Sequence, residues 1–290
     1  MATQTARATT RIGSTRSGQL IHRVVMILAG AFFAFWTLVP LYWIIATSLK
    51  NELQVYRDPQ LIPTQITFHN YYSILYQSNF LLYIKNSLEV AVVTTALSML
   101  FGSLAAYAIA RLHFRGRRII ARSIVVSYLA PGSLLFISLF EVLTELHLTD
   151  QLPGLMVVYL SFTLPFCTWL MIGYFRSIPV ELEEAALVDG CNRVRALVSI
   201  VLPLMLPALV VVTLFSFTQS WNEFLYALVF ISSDSNKTFT VGLIGLIQGD
   251  TLPWSLMMAA ATLGMIPPLI VYVISQRWVV SGLSAGSVKG

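Results

Sequence analysis

The sequence predicts an all-α, polytopic membrane protein with six transmembrane helices and both termini cytoplasmic. Three observations carry this expectation. Of 290 residues, 57% are hydrophobic and only 11% charged, with a mean hydropathy of +0.76, whereas a soluble globular domain carries about 25% charged residues. Uncharged runs occupy 24–49, 90–110, 123–140, 151–175, 196–222 and 251–276, and each reaches the roughly 17–25 apolar residues that cross a bilayer as a helix. Finally, fourteen of the 18 basic residues fall on one side of the implied topology, and Lys and Arg are retained on the cytoplasmic side. A soluble enzyme, a disordered chain, a collagen-like chain and a disulfide scaffold are all excluded.

Taken in order, residues 1–23 read as a basic cytoplasmic tail. Residues 1–22 contain no acid, which also matches an organellar transit peptide; the plainer reading is a tail, and the run 24–49 is too long for a cleaved signal. Residues 50–81 form an outer loop, with turn signals at Asp58-Pro59 and Ile62-Pro63 and an aromatic group, Phe68, Tyr71, Tyr72 and Tyr76, that suits a membrane interface. Five arginines (Arg111, Arg115, Arg117, Arg118 and Arg122) separate spans 2 and 3. Residues 82–277 hold the other five spans, 143–152 make a short turn and 231–253 a third outer loop. Residues 278–290 form a cytoplasmic tail. The formal charge of +5 is thus a topology signal, and no nucleic-acid partner is expected. Cys167 lies in span 4 and Cys191 in a loop, so they are not expected to meet.

The segment between spans 4 and 5 is too long for a minimal connection. Pro179 suits a first helical position, and Glu181, Glu183 and Glu184 place negative charge at the positive end of a helix dipole. Gly190 is the natural stop, because a helix often ends on a left-handed residue that Gly adopts cheaply. A second short helix is expected from about Asn192 to near Pro203. On residues alone, this elbow is either a docking element or an ordinary surface helix with solvated acids.

Charge depth bears on the cargo. Glu223 lies about 28 Å along a helix from Leu204, and Glu89 and Glu141 are about 33 and 27 Å from the opposite ends of their runs. With a hydrocarbon core of about 30 Å, all three acids sit near the outer interface and no charge remains at mid-bilayer. Gln219, Asn222 and Glu223 are the residues nearest a plausible substrate path; helix–helix hydrogen bonding is the competing reading of Gln219 and Asn222. No G-x4-G-K-[ST] phosphate cradle occurs, since none of the four lysines follows Gly, and no metal-ligand spacing is present.

The elbow reads Glu184-Ala185-Ala186-Leu187-Val188-Asp189-Gly190, then, nine residues on, Ile200-Val201-Leu202-Pro203. This pattern resembles the signature of ATP-binding-cassette (ABC) importer permeases. Asn86-Ser87, Ala105-Ala106-Tyr107-Ala108 with Ala110-Arg111, Ser177-Ile178-Pro179, Trp221-Asn222-Glu223-Phe224 and the tail Gly282-Leu283 to Gly286-Ser287-Val288-Lys289-Gly290 extend the resemblance to the carbohydrate branch, over roughly 80–290. It implies the type I ABC importer permease fold, with coupling helices at 177–203. It also implies a sugar importer working by alternating access, together with a second homologous permease, two ATPase subunits and an extracytoplasmic binding protein. ATP and Mg would then be bound by the partner ATPase, with no catalytic residue and no cofactor on this chain. By resemblance Glu184 is the polar contact to the ATPase, Ala185 and Ala186 the close-packed face, Gly190 the turn, and Ile200, Leu202 and Pro203 the end of the motif. The outer loop 236–253 is expected to probe the binding protein and the tail 281–290 to reach the ATPase. A secondary transporter driven by an ion gradient, a non-transporting scaffold, and an importer of a glycerol phosphate or polyol are the alternatives.

Overall fold

The computed structural model describes residues 16–57, 60–129, 132–247 and 252–287. The helices run in the order α1 (Arg16–Ser48), α2 (Glu52–Arg57), α3 (His69–Tyr76), α4 (Phe80–Arg111), α5 (Arg117–Leu129), α6 (Gly132–Glu145), α7 (Leu152–Ser177), α8 (Glu181–Val188), α9 (Arg193–Ala196), α10 (Leu202–Leu204), α11 (Leu206–Asn222), α12 (Leu225–Phe230), α13 (Phe239–Ile244) and α14 (Trp254–Ser287). A π-helical turn, Leu197–Val201, joins α9 to α10. Among the described residues there is no strand. The expectations for residues 1–15 and for Gln248–Thr251 and Val288–Gly290 lie outside the described residues.

Four helices, α1, α4, α7 and α14, are long and apolar enough to cross a membrane unbroken, and two bent pairs bring the total to as many as six. The third expected span divides into α5 and α6. The fifth divides at Met205, where Arg193–Leu204 meets Leu206–Asn222 at 81°. Proline explains this second bend. Pro203 and Pro207 both lack an N–H, so neither can bond the carbonyl four residues back, and the π-helical turn just before them takes up the changed register. The stretch 50–81, expected as an outer loop, contains α2, α3 and the first residues of α4.

The centre of the fold is the seam between α4 and α7. Val90, Thr94, Ser98, Gly102 and Ala106 recur every four residues on α4 and all are buried. In lipid, apolar side chains gain little by leaving the solvent, so helices associate through close packing of small residues and interhelical hydrogen bonds. The seam uses both. The Cα of Gly102 faces Cys167 and Thr168 so closely that an added Cβ would lie 3.5 Å from each side chain. Ser98 and Thr163 share a hydroxyl–hydroxyl bond of 2.8 Å. By contrast, the most apolar stretch of α1 has no buried residue. It packs chiefly along α14, held by Glu52, whose carboxylate accepts from the N–H groups of Trp254 (2.9 Å) and Ser255 (3.1 Å) and from the Ser255 hydroxyl.

At the end remote from α8, the segment 231–238 is tied down from two sides. The Asp150 carboxylate accepts from the N–H groups of Ser232 and Ser233, both at 2.9 Å, and from the Ser233 hydroxyl. Asp234 accepts from Lys237 (2.9 Å), Tyr83 (2.7 Å) and Asn79 (2.8 Å). The Asn86 side chain donates to the carbonyls of Ser235 and Lys237. The Ser233 hydroxyl, then the Ser233 and Ser232 N–H groups, hold the Asp150 carboxyl below its ordinary value of 3.8. Lys237, then Tyr83 and Asn79, lower Asp234 to about 2. A depressed carboxylate pKa adds stability that is present above the unfolded-state value and lost as pH falls through the folded one. The thermal midpoint gap between wild type and Asp150→Ala is therefore expected to be constant from neutral pH to about pH 5. It should then shrink as the pH falls below 3.8; a gap that persists in acid would show that the tie does not depend on charge.

Candidate functional site

α7 ends at Ser177, and Ile178 turns the chain out in an extended conformation. The elbow follows. Three acids occupy the first turn of α8, where the unpaired N–H groups and the helix dipole favour negative charge. Gly190 has φ +88°, and the two bonds of a Schellman stop are present: Cys191 N–H to the Ala186 carbonyl (3.0 Å) and Gly190 N–H to the Leu187 carbonyl (3.2 Å). Asn192 then caps α9 through Arg195 N–H to Oδ1 at 2.8 Å. The two short helices thus meet at a corner whose geometry depends on Gly190.

The corner is seated by one buried polar cluster. Glu183 is 4% exposed; it accepts from the Tyr107 hydroxyl and pairs with Arg111, Nε to Oε2 at 3.3 Å. Arg111 also donates to the Ile178 carbonyl at 2.8 Å, so a single guanidinium ties the last turn of α4 to both sides of the bend. Beneath it lies an apolar cluster of Ala106, Tyr107 and Ile109 from α4, Met171 and Phe175 from α7, Leu197 and Val201 from the π-helical turn, and Met205. Leu202 packs against the same cluster, half-buried.

Seating fixes which face of α8 is offered to the surroundings. Glu183 and Ala186, three residues apart and so on one face, point inward, whereas Glu184 and Ala185 are exposed. Of the two alanines expected to form one close-packed face, only Ala186 is buried within the chain. Gly190 and Pro203 are exposed and Ile200 is half-buried. Large apolar side chains cluster around the corner in the open: Val188 is 86% and Val194 70% exposed, with Val180 and Leu182 nearby. An exposed apolar patch ringed by polar residues marks a contact surface.

The remaining candidates separate. Gln219 and Asn222 lie three apart on α11 and are both exposed. Glu223 lies just beyond the helix, in an extended conformation. Its carboxylate caps α12, accepting from Tyr226 N–H (2.9 Å), Ala227 N–H (3.1 Å) and the Tyr159 hydroxyl (2.8 Å). Sequence reasoning singled out Glu184 as the contact and did not connect Glu183 with Tyr107 and Arg111. The usable signal was spacing: Glu183 shares the face of Ala186, and Tyr107 that of Arg111. Removing one partner of a buried pair leaves the other charge uncompensated, at about 3–5 kcal/mol. Glu183→Ala is thus expected to lower the thermal midpoint sharply and Glu184→Ala, on the exposed face, hardly at all. Pairing Glu183→Leu with Arg111→Met should restore much of the loss; a thermal melt of the purified variants decides.

The comparisons with known proteins bear on family and fold. Residues 98–285 match the sequence profile of the binding-protein-dependent transport system inner membrane component. The chain is 38% identical over 263 residues, 90% of its length and 94% of the relative's, to the inner membrane ABC transporter permease protein YcjP of Escherichia coli (strain K12). It is 34% identical over 276 residues, 94% of its length and 99% of the relative's, to the trehalose/maltose transport system permease protein MalG of Thermococcus litoralis. Among solved structures, a bacterial ABC transporter involved in the import of the acidic polysaccharide alginate has a chain with a TM-score of 0.75 and 26% identity, covering 91% of this chain and 98% of that one. The all-helical, type I ABC permease fold is therefore established, and the chain belongs to the family of inner membrane components of binding-protein-dependent transport systems.

Proposed function

We propose that the chain is a permease subunit of an importer that moves a saccharide into the cytoplasm, with the exposed face of the α8 corner as the seat of a separate ATPase. The observation that carries this reading is the corner itself. Buried bonds from Glu183 hold it rigidly against α4, yet it turns Glu184, Ala185 and Val188 outward. An element serving only this chain's fold would have no reason to expose them. The arginine distribution orients this end toward the cytoplasm, where ATP is available, and ATP with Mg would be held by the ATPase rather than by this chain.

Alternating access needs an element that switches as a body. Moving a balance from 1:99 to 99:1 requires about 5.5 kcal/mol of differential binding, and a corner anchored through a buried ion pair transmits such a bias to α4 rather than dissipating it in side-chain motion. The bend at Met205 supplies a pivot between the elbow and α11. Exposed Gln219 and Asn222 on α11 would face a path shared with a second permease subunit, because polar groups do not face lipid. Relatives are named for trehalose/maltose, sulfoquinovosyl glycerol and diacetylchitobiose transport, which supports a saccharide cargo without naming it. Membership of a family of binding-protein-dependent transport systems supports delivery by a binding protein, for which the outer loop 236–253 is the proposed contact.

The complex is testable as a whole. In vesicles containing permeases, ATPase and binding protein, Glu184→Ala combined with Gly190→Val, a β-branched residue at φ +88°, should reduce sugar-stimulated ATP hydrolysis and uptake by about tenfold or more while the basal ATPase rate persists. Unchanged coupling would remove the corner from the mechanism. Purification of an active transporter free of any ATPase chain would remove the importer reading itself.

A further inference from the structure

Some of the arginines do more than mark a membrane side: Arg117, Arg118 and Arg122 of α5 and Arg176 of α7 line two adjoining clefts. A cleft of about 590 Å³ runs between α5 and α7, walled by Val125, Val126, Leu170 and Gly173, with Trp169 beside them. A second, of about 230 Å³, adjoins it and is lined by Arg117 and Arg118. The two share Ala121, Arg122 and Arg176. The wall is apolar where it runs along α7 and basic where it opens: from Arg176 to Trp169 is seven helical residues, about 10 Å toward the membrane interior.

Among the described residues these guanidinium groups have no acidic partner. Among the described residues the ion pairs are Arg111 with Glu183 and Lys237 with Asp234, so no carboxylate lies within 4.0 Å of Arg118, Arg122 or Arg176. Arg117 donates to the Leu112 carbonyl at 3.1 Å. Residues 1–15 and 288–290 contain no acid and cannot supply one. Four like charges around one opening repel one another, and a guanidinium presents a planar fork of donors that matches phosphate oxygens.

We propose that this cleft binds an anionic phospholipid such as phosphatidylglycerol, with the phosphate held by Arg118, Arg122 and Arg176 and one acyl chain lying along Gly173 and Trp169. Charge complementarity selects the occupant. A zwitterionic lipid would bring its ammonium group to an opening that has no acid, and a free phosphate would leave the apolar wall empty. Trp169, 46% exposed, is of the side-chain type that settles where headgroups meet chains. The assignment needs only that the chain spans a membrane, and stands apart from the ATPase and sugar readings.

The test uses the complete transporter purified in mild detergent, with bound phosphatidylglycerol and phosphatidylethanolamine extracted and quantified. Wild type is expected to retain phosphatidylglycerol preferentially. The triple variant Arg118→Gln, Arg122→Gln, Arg176→Gln should lose roughly tenfold or more of it. Gly173→Leu keeps every arginine and fills the cleft; a Cβ there meets no atom within 4 Å, so the variant tests the chain-binding wall even if the triple variant fails to assemble. Phosphatidylglycerol with brominated chains should quench tryptophan emission, and Trp169→Phe should remove the part of that quenching that is also lost in the triple variant. Equal retention of the two lipids by wild type overturns the proposal, as does full retention by Gly173→Leu. Displacement by millimolar inorganic phosphate would instead mark a plain anion site, and cross-linking of Trp169-position probes to the second permease would mark a subunit interface; either result also overturns it.

Discussion

A carboxylate withdrawn from water survives only where donors replace the water, and Glu183 meets that condition between Tyr107 and Arg111. The pair is a weak source of net stability, since desolvating two charges offsets most of their attraction. Its importance is directional. Because the charge has one place to go, α8 has one rotation about its axis, and Glu184, Ala185 and Val188 necessarily face away. The Tyr107 hydroxyl that donates to Glu183 and the Arg111 charge beside it sit at the end of α4, the helix that also forms the central seam. The corner, the seam and the exposed contact face are therefore settled together.

Rigidity and compliance alternate along the chain. α4 and α7 are continuous and joined by small residues and hydroxyl pairs, which leaves little slack. The helix that follows the elbow is the opposite: prolines at 203 and 207 remove two consecutive links of its hydrogen-bond ladder, a π-helical turn precedes them, and the axis swings through 81° at Met205. A displacement of the corner reaches α4 directly and α11 only across this joint. Under the proposed alternating access, such an arrangement would convert one input into unequal motions of two spans.

Much of this was legible in the order of residues. The six uncharged runs place the long helices, because bilayer thickness fixes their length; Gly190 and Asn192 place the corner, because stop and start signals are local. What was not legible depended on distant partners. Glu183 and Glu184 are adjacent and chemically alike, and only Tyr107, 76 positions away, separates the buried acid from the exposed one. Glu223 was singled out by its depth, but its hydrogen bonds to the start of α12 and to Tyr159, 64 positions away, were not legible. The bend at Met205 was signalled by two prolines but masked by a run of apolar residues long enough to pass for a straight span. α3 was hidden in a stretch whose polar and aromatic residues have no strong period.

The attachment of α1 has a consequence in time. Its ties are made through Glu52 to Trp254 and Ser255, 202 and 203 positions later, and through Tyr56 to the Leu252 carbonyl, 196 later. A ribosome adding about 5–20 residues per second needs some 10–40 seconds to cover that distance. Throughout that interval the first helix has only the segment just after it as a partner, through Tyr42 to the Leu61 carbonyl and Ser48 to Tyr71. Its most apolar stretch buries no residue, so it can wait in the bilayer as a span until α14 packs alongside it.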